Sequence, residues 1–372
     1  MSGETYRNWS RTVEFTRTLT TNPTSDEERN KILQDPGFGT YYTDHQVIID
    51  WDIDKGWHDA RVVPYGPVTL DPAAAVLHYG QEVFEGLKAY RHKGGGAYTF
   101  RPEENGRRLN RSAVRLGMPE LPVDVFLQAI KELVSADEAW IPDGDGESLY
   151  LRPFMIATEA FLGVRPSHRY EFRVIASPAG NYFGGELKPV QIWLSETYAR
   201  AGHGGTGEAK CGGNYAASLI AQLEAEANGC QQVIFTDPTN DHAVQELGGM
   251  NVFFVIDGGK TLVTPALDGT ILHGVTRSSV LELAQEKGLA VEQRTFTLDE
   301  WKRRVEDGSL DEVFACGTAA VVTPISELRG RDMTLTMPEV KQDGVWASIR
   351  HDLLGVQTGA VEDAHGWLHK LA

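Results

Sequence analysis

Four short apolar runs in the second half of the chain, residues 190–194, 232–236, 252–256 and 312–316, are separated by stretches with helical spacing. Strand-length runs that alternate with helix-length ones predict a mixed α/β domain. The clearest helix spans 215–227, where Ala216, Leu219, Ile220 and Leu223 fall on one stripe and Asn228-Gly229 offers a left-handed C-cap.

The first half carries elements of its own. A polar opening stretch precedes Asp35-Pro36-Gly37-Phe38-Gly39, a turn after which ordered structure is expected to begin with a strand over 41–51. Residues 124–139 read as a helix capped by Asp124, with Phe126, Ile130, Leu133 and Val134 on one face, and 170–177 reads as a strand. The breakers Pro178-Ala179-Gly180-Asn181 and Gly184-Gly185 mark a domain boundary. With 372 residues the chain can bury two cores. The expected division is a smaller N-terminal α/β domain over 1–181, a linker over 182–189, and a larger C-terminal α/β domain over 190–372.

A net charge of -17 without any long basic run argues against nucleic acid as a partner. The opening Met1-Ser2-Gly3-Glu4 leads into polar residues, so neither a secretory segment nor a membrane span is expected, and the cytoplasm is the expected compartment. Three cysteines, Cys211, Cys230 and Cys316, make a disulfide framework improbable and read as small core residues. Scattered histidines and the lack of zinc-type spacing predict no metal site.

Chemistry concentrates in one segment, Gly202-His203-Gly204-Gly205-Thr206-Gly207-Glu208-Ala209-Lys210-Cys211-Gly212-Gly213-Asn214-Tyr215, where glycines crowd a lysine just before a helix. Glycines admit positive φ or let backbone approach a ligand, so the loop is either a tight turn or a cradle beside the Lys210 amine. No Gly-x-x-x-x-Gly-Lys-Ser/Thr can be drawn, no Gly-x-Ser-x-Gly elbow occurs, and no strand runs into Gly-x-Gly-x-x-Gly. What remains is Schiff-base chemistry at Lys210, which asks for a carboxylate at the ring nitrogen, a phosphate cradle and a hydroxyl. Glu246, the helix-opening Gly274-Val275-Thr276-Arg277-Ser278-Ser279 and Gly317-Thr318 can supply them. Singly, Glu246 also reads as a surface carboxylate, Arg108 as a solvated arginine and the aromatic residues as core.

Together with Tyr79-Gly80-Gln81-Glu82-Val83-Phe84-Glu85-Gly86-Leu87-Lys88-Ala89 and Arg101-Pro102 through Arg111-Ser112, these segments resemble the branched-chain amino acid aminotransferases, in family order over nearly the whole chain. The resemblance implies a two-domain, fold-type-IV architecture of the α/β (α+β type) class, pyridoxal 5'-phosphate as cofactor, and a homodimer. It implies that the C-terminal domain carries Lys210 as the Schiff-base lysine and proton shuttle. Glu246 pairs with the ring nitrogen, Tyr215 bonds the ring hydroxyl, and Arg108, Val275, Thr276 and Thr318 hold the phosphate. The substrate wall maps onto Phe38, Tyr79, Phe84, Tyr150, Tyr182 and the partner subunit's Val164. Arg152 takes the side-chain carboxylate of glutamate, and the α-carboxylate lies near Thr318 and Ala319. The implied reaction moves the amino group of leucine, isoleucine or valine to 2-oxoglutarate.

Two positions depart from the family. Ala320 and Thr323 stand where animal members carry a Cys-x-x-Cys redox pair, and Gly249 stands where some relatives have threonine. The alternatives are a D-amino acid aminotransferase or an aminodeoxychorismate lyase of the same fold, or a metabolite-binding protein without catalysis.

Overall fold

The computed structural model describes residues 13–144, 146–180 and 188–372. These divide into two compact units. The first takes the described residues up to 180 together with Ala209–Gly212 and Val356–Ala372, and the second takes 188–208 and Gly213–Gly355. Among the described residues no helix is long and apolar enough to cross a membrane.

In the first unit one sheet runs in the order Thr16–Arg17, Gly56–Pro64, His45–Asp52, Arg169–Ala179, Ser148–Ala157, Leu87–Arg91, Ala97–Phe100 and Leu368–Lys370. Glu82–Phe84 pairs with Ser148–Ala157 off this path. Burial along Ser148–Ala157 alternates: Leu149, Leu151, Met155 and Ala157 are buried, while Tyr150, Arg152 and Phe154 fall on the opposite face. The pleat therefore aligns Tyr150 with Arg152, two residues apart. Helices Pro102–Arg115 and Val123–Ala136 press Leu109, Ala113, Phe126, Ile130 and Leu133 into a core with Val47, Ile49, Phe172 and Val174.

The second unit has a mixed sheet, ordered Ala243–Leu247, Gln232–Asp237, Val190–Leu194, Val321–Arg329, Leu310–Gly317, Asn251–Ile256, Thr261–Thr264 and Ala290–Gln293. Asn251–Ile256 is buried at every position, which is why it reads as a continuous apolar run instead of an alternating one. Phe254 stacks on Phe296 with centroids 3.9 Å apart and meets Trp301 edge-on at 4.8 Å.

Several expectations are corrected. Order begins well before residue 35: Thr16–Arg17 pairs with Gly56–Pro64, and Ser25 caps a helix over Asp26–Gln34. Asp44 ties this segment down by accepting the Thr24 N–H and hydroxyl, long-range bonds that a local pattern does not reveal. The helix expected from Asp124 starts at Val123 with Pro122 in the cap position, because proline's fixed φ suits a helix entrance. The first unit is the larger, it contains Lys210, and it also claims the C-terminus, since Leu368–Lys370 pairs antiparallel with Ala97–Phe100. Most of the expected linker, residues 182–187 of 182–189, lies outside the described residues, as does residue 181.

The helix Gly212–Ala227 differs most from its periodicity. Its buried stripe is Asn214, Ser218, Ala221 and Ala225, whereas Leu219 and Leu223 are 61% and 60% exposed. Small side chains let Ala221 and Ala225 pack against Trp193, Val233 and Phe235, so the larger apolar stripe turns outward.

In the first unit, the segment after Ser148–Ala157 is closed by Glu159, which accepts bidentate bonds from Arg165 at 3.1 and 2.8 Å and the His168 N–H at 2.6 Å. The Arg165 bonds, aided by His168 and opposed by burial, hold the Glu159 carboxyl down to about 2 from its ordinary 4.5. A lowered value in the folded state means that the contribution is complete above the ordinary value and fades as pH falls toward the folded one. Glu159→Gln is thus expected to raise amide-exchange rates over 160–168 at neutral pH, with wild-type protection approaching the variant's between pH 4.5 and about 2. Equal protection at pH 7 would remove the role. Phe254→Ala, which empties the aromatic stack, is expected to lower stability by about 3–5 kcal/mol in urea titrations.

Candidate active site

Lys210 lies in the short stretch Ala209–Gly212 that the first unit claims. Its carbonyl accepts the Phe84 N–H at 3.0 Å, and its own N–H donates to Ser112 Oγ at 2.9 Å. Ala209 and Cys211 are buried in the first core, and the Gly212 N–H donates to the Glu82 carboxylate. Burial pushes the Glu82 carboxyl up, an effect only partly offset by that bond and by Arg152. With the backbone clamped on both sides of the lysine, Nζ sits 4.6 Å from the Phe84 ring centroid.

Phe84 leads to the rest of an aromatic cluster. The Arg152 guanidinium lies 5.0 Å from the Phe84 centroid and 5.3 Å from that of Tyr150, and its Nη2 donates to the Tyr150 hydroxyl at 3.1 Å. Phe38 meets Tyr150 edge-on at 5.1 Å. Gly86 has no room for a side chain, because a Cβ there would strike the Tyr150 hydroxyl. Among the described residues, Arg152 Nε is buried without a hydrogen-bond partner, a donor left free for an acceptor. Tyr79 instead donates to the Leu162 carbonyl, and Val164 is 89% exposed. Tyr182 lies outside the described residues.

Arg108 is buried and not solvated. Its Nε and Nη2 each reach a Glu85 carboxylate oxygen at 2.8 Å, and Asn105 Nδ2 donates to the same carboxylate at 2.7 Å. Burial alone would raise the Glu85 carboxyl, but Arg108, with Lys210 and Asn105, reverses this and holds it below its ordinary value.

In the second unit the glycine-rich loop is an ordered run of turns. Thr206 and Asn214 close it reciprocally, hydroxyl to amide oxygen and amide nitrogen to carbonyl, both at 2.7 Å. Gly204 takes φ 73, and Gly207 leaves no space for a Cβ against Thr270 and Ala201. Glu246, 2% exposed, is no surface carboxylate. It accepts the Leu272 N–H at 2.8 Å and Asn251 Nδ2 at 3.2 Å, and Arg200 Nη1 lies 2.9 Å away. A Cβ at Gly249 would sit 3.8 Å from the Tyr215 ring, so a larger residue there would touch Tyr215.

The helix Val275–Glu286 opens at Gly274 with no side-chain cap, leaving first-turn N–H groups such as those of Val275 and Thr276 for an anion. A Cβ at Gly274 would collide with Asn251 Oδ1, so a larger residue there would displace the Asn251 side chain. Thr318 and Ala319 lie in the turn joining Leu310–Gly317 to Val321–Arg329, where Val321 holds φ 61, a strained value for a β-branched residue. Cys316 before this turn is buried, and burial drives its thiol far up, so it stays neutral. All three cysteines are buried and unpaired. Among the described residues the Thr323 hydroxyl is buried without a partner, and Ala320 is buried. Among the described residues no group of His, Cys, Asp and Glu is placed to hold a metal ion.

Sequence reasoning missed Glu82, Glu85, Ser112, Arg200 and Asn251. Glu82 and Glu85 stand inside the motif around Phe84, but only their long-range partners reveal what they hold. Arg200 carries no local signal at all.

The amino-transferase class IV family model matches residues 82–328. A branched-chain-amino-acid aminotransferase of Mycolicibacterium smegmatis is 53% identical over 362 residues, 96% of this chain and 98% of that protein. Among solved structures, the holo-form branched-chain amino acid aminotransferase of Thermobaculum terrenum, with pyridoxal phosphate, matches at TM-score 0.71 and 28% identity, covering 88% of this chain and 98% of that one. The branched-chain aminotransferase of the thermophilic archaeon Thermoproteus uzoniensis, solved with norvaline, matches at TM-score 0.71 and 26% identity, covering 88% and 100%. The two-sheet architecture, the clamped lysine and a family match over 82–328 lead to one conclusion: the chain belongs to the class IV aminotransferases.

Proposed function

We propose that the chain is a branched-chain amino acid transaminase that moves the amino group of L-leucine, L-isoleucine or L-valine to 2-oxoglutarate, with pyridoxal phosphate as cofactor. The observation that carries this is the Lys210 amine over Phe84, in a cluster that ends on the unmet Nε–H of Arg152. An apolar wall containing one guanidinium suits two substrates in turn, a branched side chain and the side-chain carboxylate of glutamate. Such walls separate one methylene by only about 1–3 kcal/mol, so all three branched substrates are expected to react.

The residues fit the cofactor. Glu246 is a buried carboxylate in an ion pair, and an uncapped helix start at Val275 and Thr276 offers N–H groups to a phosphate. When bound, pyridoxal phosphate supplies a carbonyl that exchanges with the amino group and a ring that draws electrons from the substrate Cα. Lys210 Nζ would hold the cofactor and, as a free amine, would carry the proton removed from the substrate Cα. Glu246 would hold the ring nitrogen and Tyr215 the ring hydroxyl. Arg108, Val275, Thr276 and Thr318 would hold the phosphate. Phe38, Tyr79, Phe84, Tyr150 and Tyr182, with the partner subunit's Val164, form the wall, and Thr318 and Ala319 receive the α-carboxylate.

A cytoplasmic homodimer belongs to the same proposal. The outward stripe of Leu219, Ile220 and Leu223 supports self-association, since apolar patches of this kind mark contact surfaces.

The test is the visible absorption of the purified protein. A cofactor band that bleaches with L-leucine and returns with 2-oxoglutarate is expected, and Lys210→Ala should lose both band and turnover while keeping its circular dichroism. A band indifferent to L-leucine would sink the substrate assignment. Arg152→Met is expected to raise KM for 2-oxoglutarate about tenfold to a hundredfold, matching the about 1.5–3 kcal/mol of a charged hydrogen bond, with little change for L-leucine. Equal changes for both substrates would take the carboxylate role from Arg152.

A further inference from the structure

Resting on the proposed pairing of Glu246 with the ring nitrogen, we infer that Arg200 is the positioning residue that keeps Glu246 an anion and thereby keeps the shared proton on the cofactor ring. Arg200 and Glu246 are both almost wholly buried, with Arg200 Nη1 2.9 Å from Glu246 Oε1. The same Nη1 donates to the Thr270 carbonyl at 3.1 Å and the Gly207 carbonyl at 3.3 Å. One guanidinium therefore touches the carboxylate, the segment whose Leu272 N–H also binds that carboxylate, and the glycine loop three residues before Lys210. Gly207 lets this contact form: a Cβ there would come within 2.6 Å of Thr270 Cα and 2.7 Å of Ala201 Cβ.

Burial by itself disfavours a carboxylate anion and an adjacent guanidinium restores it. A glutamate that had taken up its own proton could not accept the ring's, and one that competed strongly for the shared proton would leave the ring nitrogen neutral. Among the described contacts, Arg200 is the charged group in ion-pair contact with the Glu246 carboxylate. Arg277 also couples to Glu246, but its Nη2 bonds the Pro265 carbonyl at 2.9 Å and Gln293 at 3.1 Å and not the carboxylate, and the buried Cys316 thiol is neutral. Asn251 and the Leu272 N–H orient the carboxylate without adding charge.

The test uses pyridoxal phosphate labelled with nitrogen-15 in the ring, loaded onto the wild type, Arg200→Gln, Arg200→Lys and Glu246→Gln, each first checked by circular dichroism. The ring signal of the wild type should be that of a protonated pyridine. In Arg200→Gln it should shift to that of a neutral one, while Arg200→Lys, which keeps the charge, should stay with the wild type. A protonated ring in folded Arg200→Gln would overturn the inference. If that variant does not fold, Arg200→Lys decides: a protonated ring supports the charge role, and a neutral ring in a folded Arg200→Lys overturns it. Glu246→Gln separates the two levels, because a ring that stays protonated there removes the pairing of Glu246 itself.

Discussion

The hydrogen bonds that clamp the backbone at Lys210 organise the candidate site. A five-residue stretch, Glu82 to Gly86, does most of it. Glu82 holds the Gly212 N–H, the Phe84 N–H holds the Lys210 carbonyl, the Phe84 ring underlies Nζ, and Glu85 on the other side of the strand holds Arg108. Alternation along an extended chain makes this division possible, since residues two apart share a face and their neighbour takes the other. Pairing of Glu82–Phe84 with Ser148–Ala157 brings the Arg152 guanidinium to 5.0 Å from the same Phe84 ring that Lys210 Nζ approaches. An amine on a flexible four-carbon stem is thus confined by fixing the backbone that carries it and the ring below it.

Each unit also contains a buried ion pair, Glu85 with Arg108 in the first and Glu246 with Arg200 in the second. Such pairs are weak sources of stability, because desolvation offsets most of their attraction, yet losing one partner costs about 3–5 kcal/mol. Their value lies in placement. Bidentate geometry aligns the Arg108 guanidinium plane, and bonds from Asn251, Leu272 and Arg200 leave the Glu246 carboxylate few orientations. Electrostatic groups arranged before substrate arrives need not reorganise during the reaction.

Glycine serves this site at specific points. Gly207 and Gly274 are places where a Cβ would collide with Thr270 or Asn251, and Gly86 is where it would strike Tyr150. The density of glycine before Lys210 therefore reflects close approach of backbone to its surroundings as well as the turn at Gly204.

The sequence by itself determined the mixed α/β class of the second half, the strands whose runs are continuously apolar, and the lysine around which the motifs gather. Those features follow from local periodicity and from the few residue types that permit the chemistry. Only the tertiary structure decided that Lys210 packs with the first unit, that the C-terminus joins the first sheet, and that the Leu219 and Leu223 stripe faces outward. It also decided that Arg108 and Glu246 are buried and that Glu85 and Arg200 hold them. The physical reason is sequence separation: Glu85 finds Arg108 23 residues away and Arg200 finds Glu246 46 residues away. Local pattern records which residues can form an element, whereas a charge is assigned its partner by the packing that removes both from water.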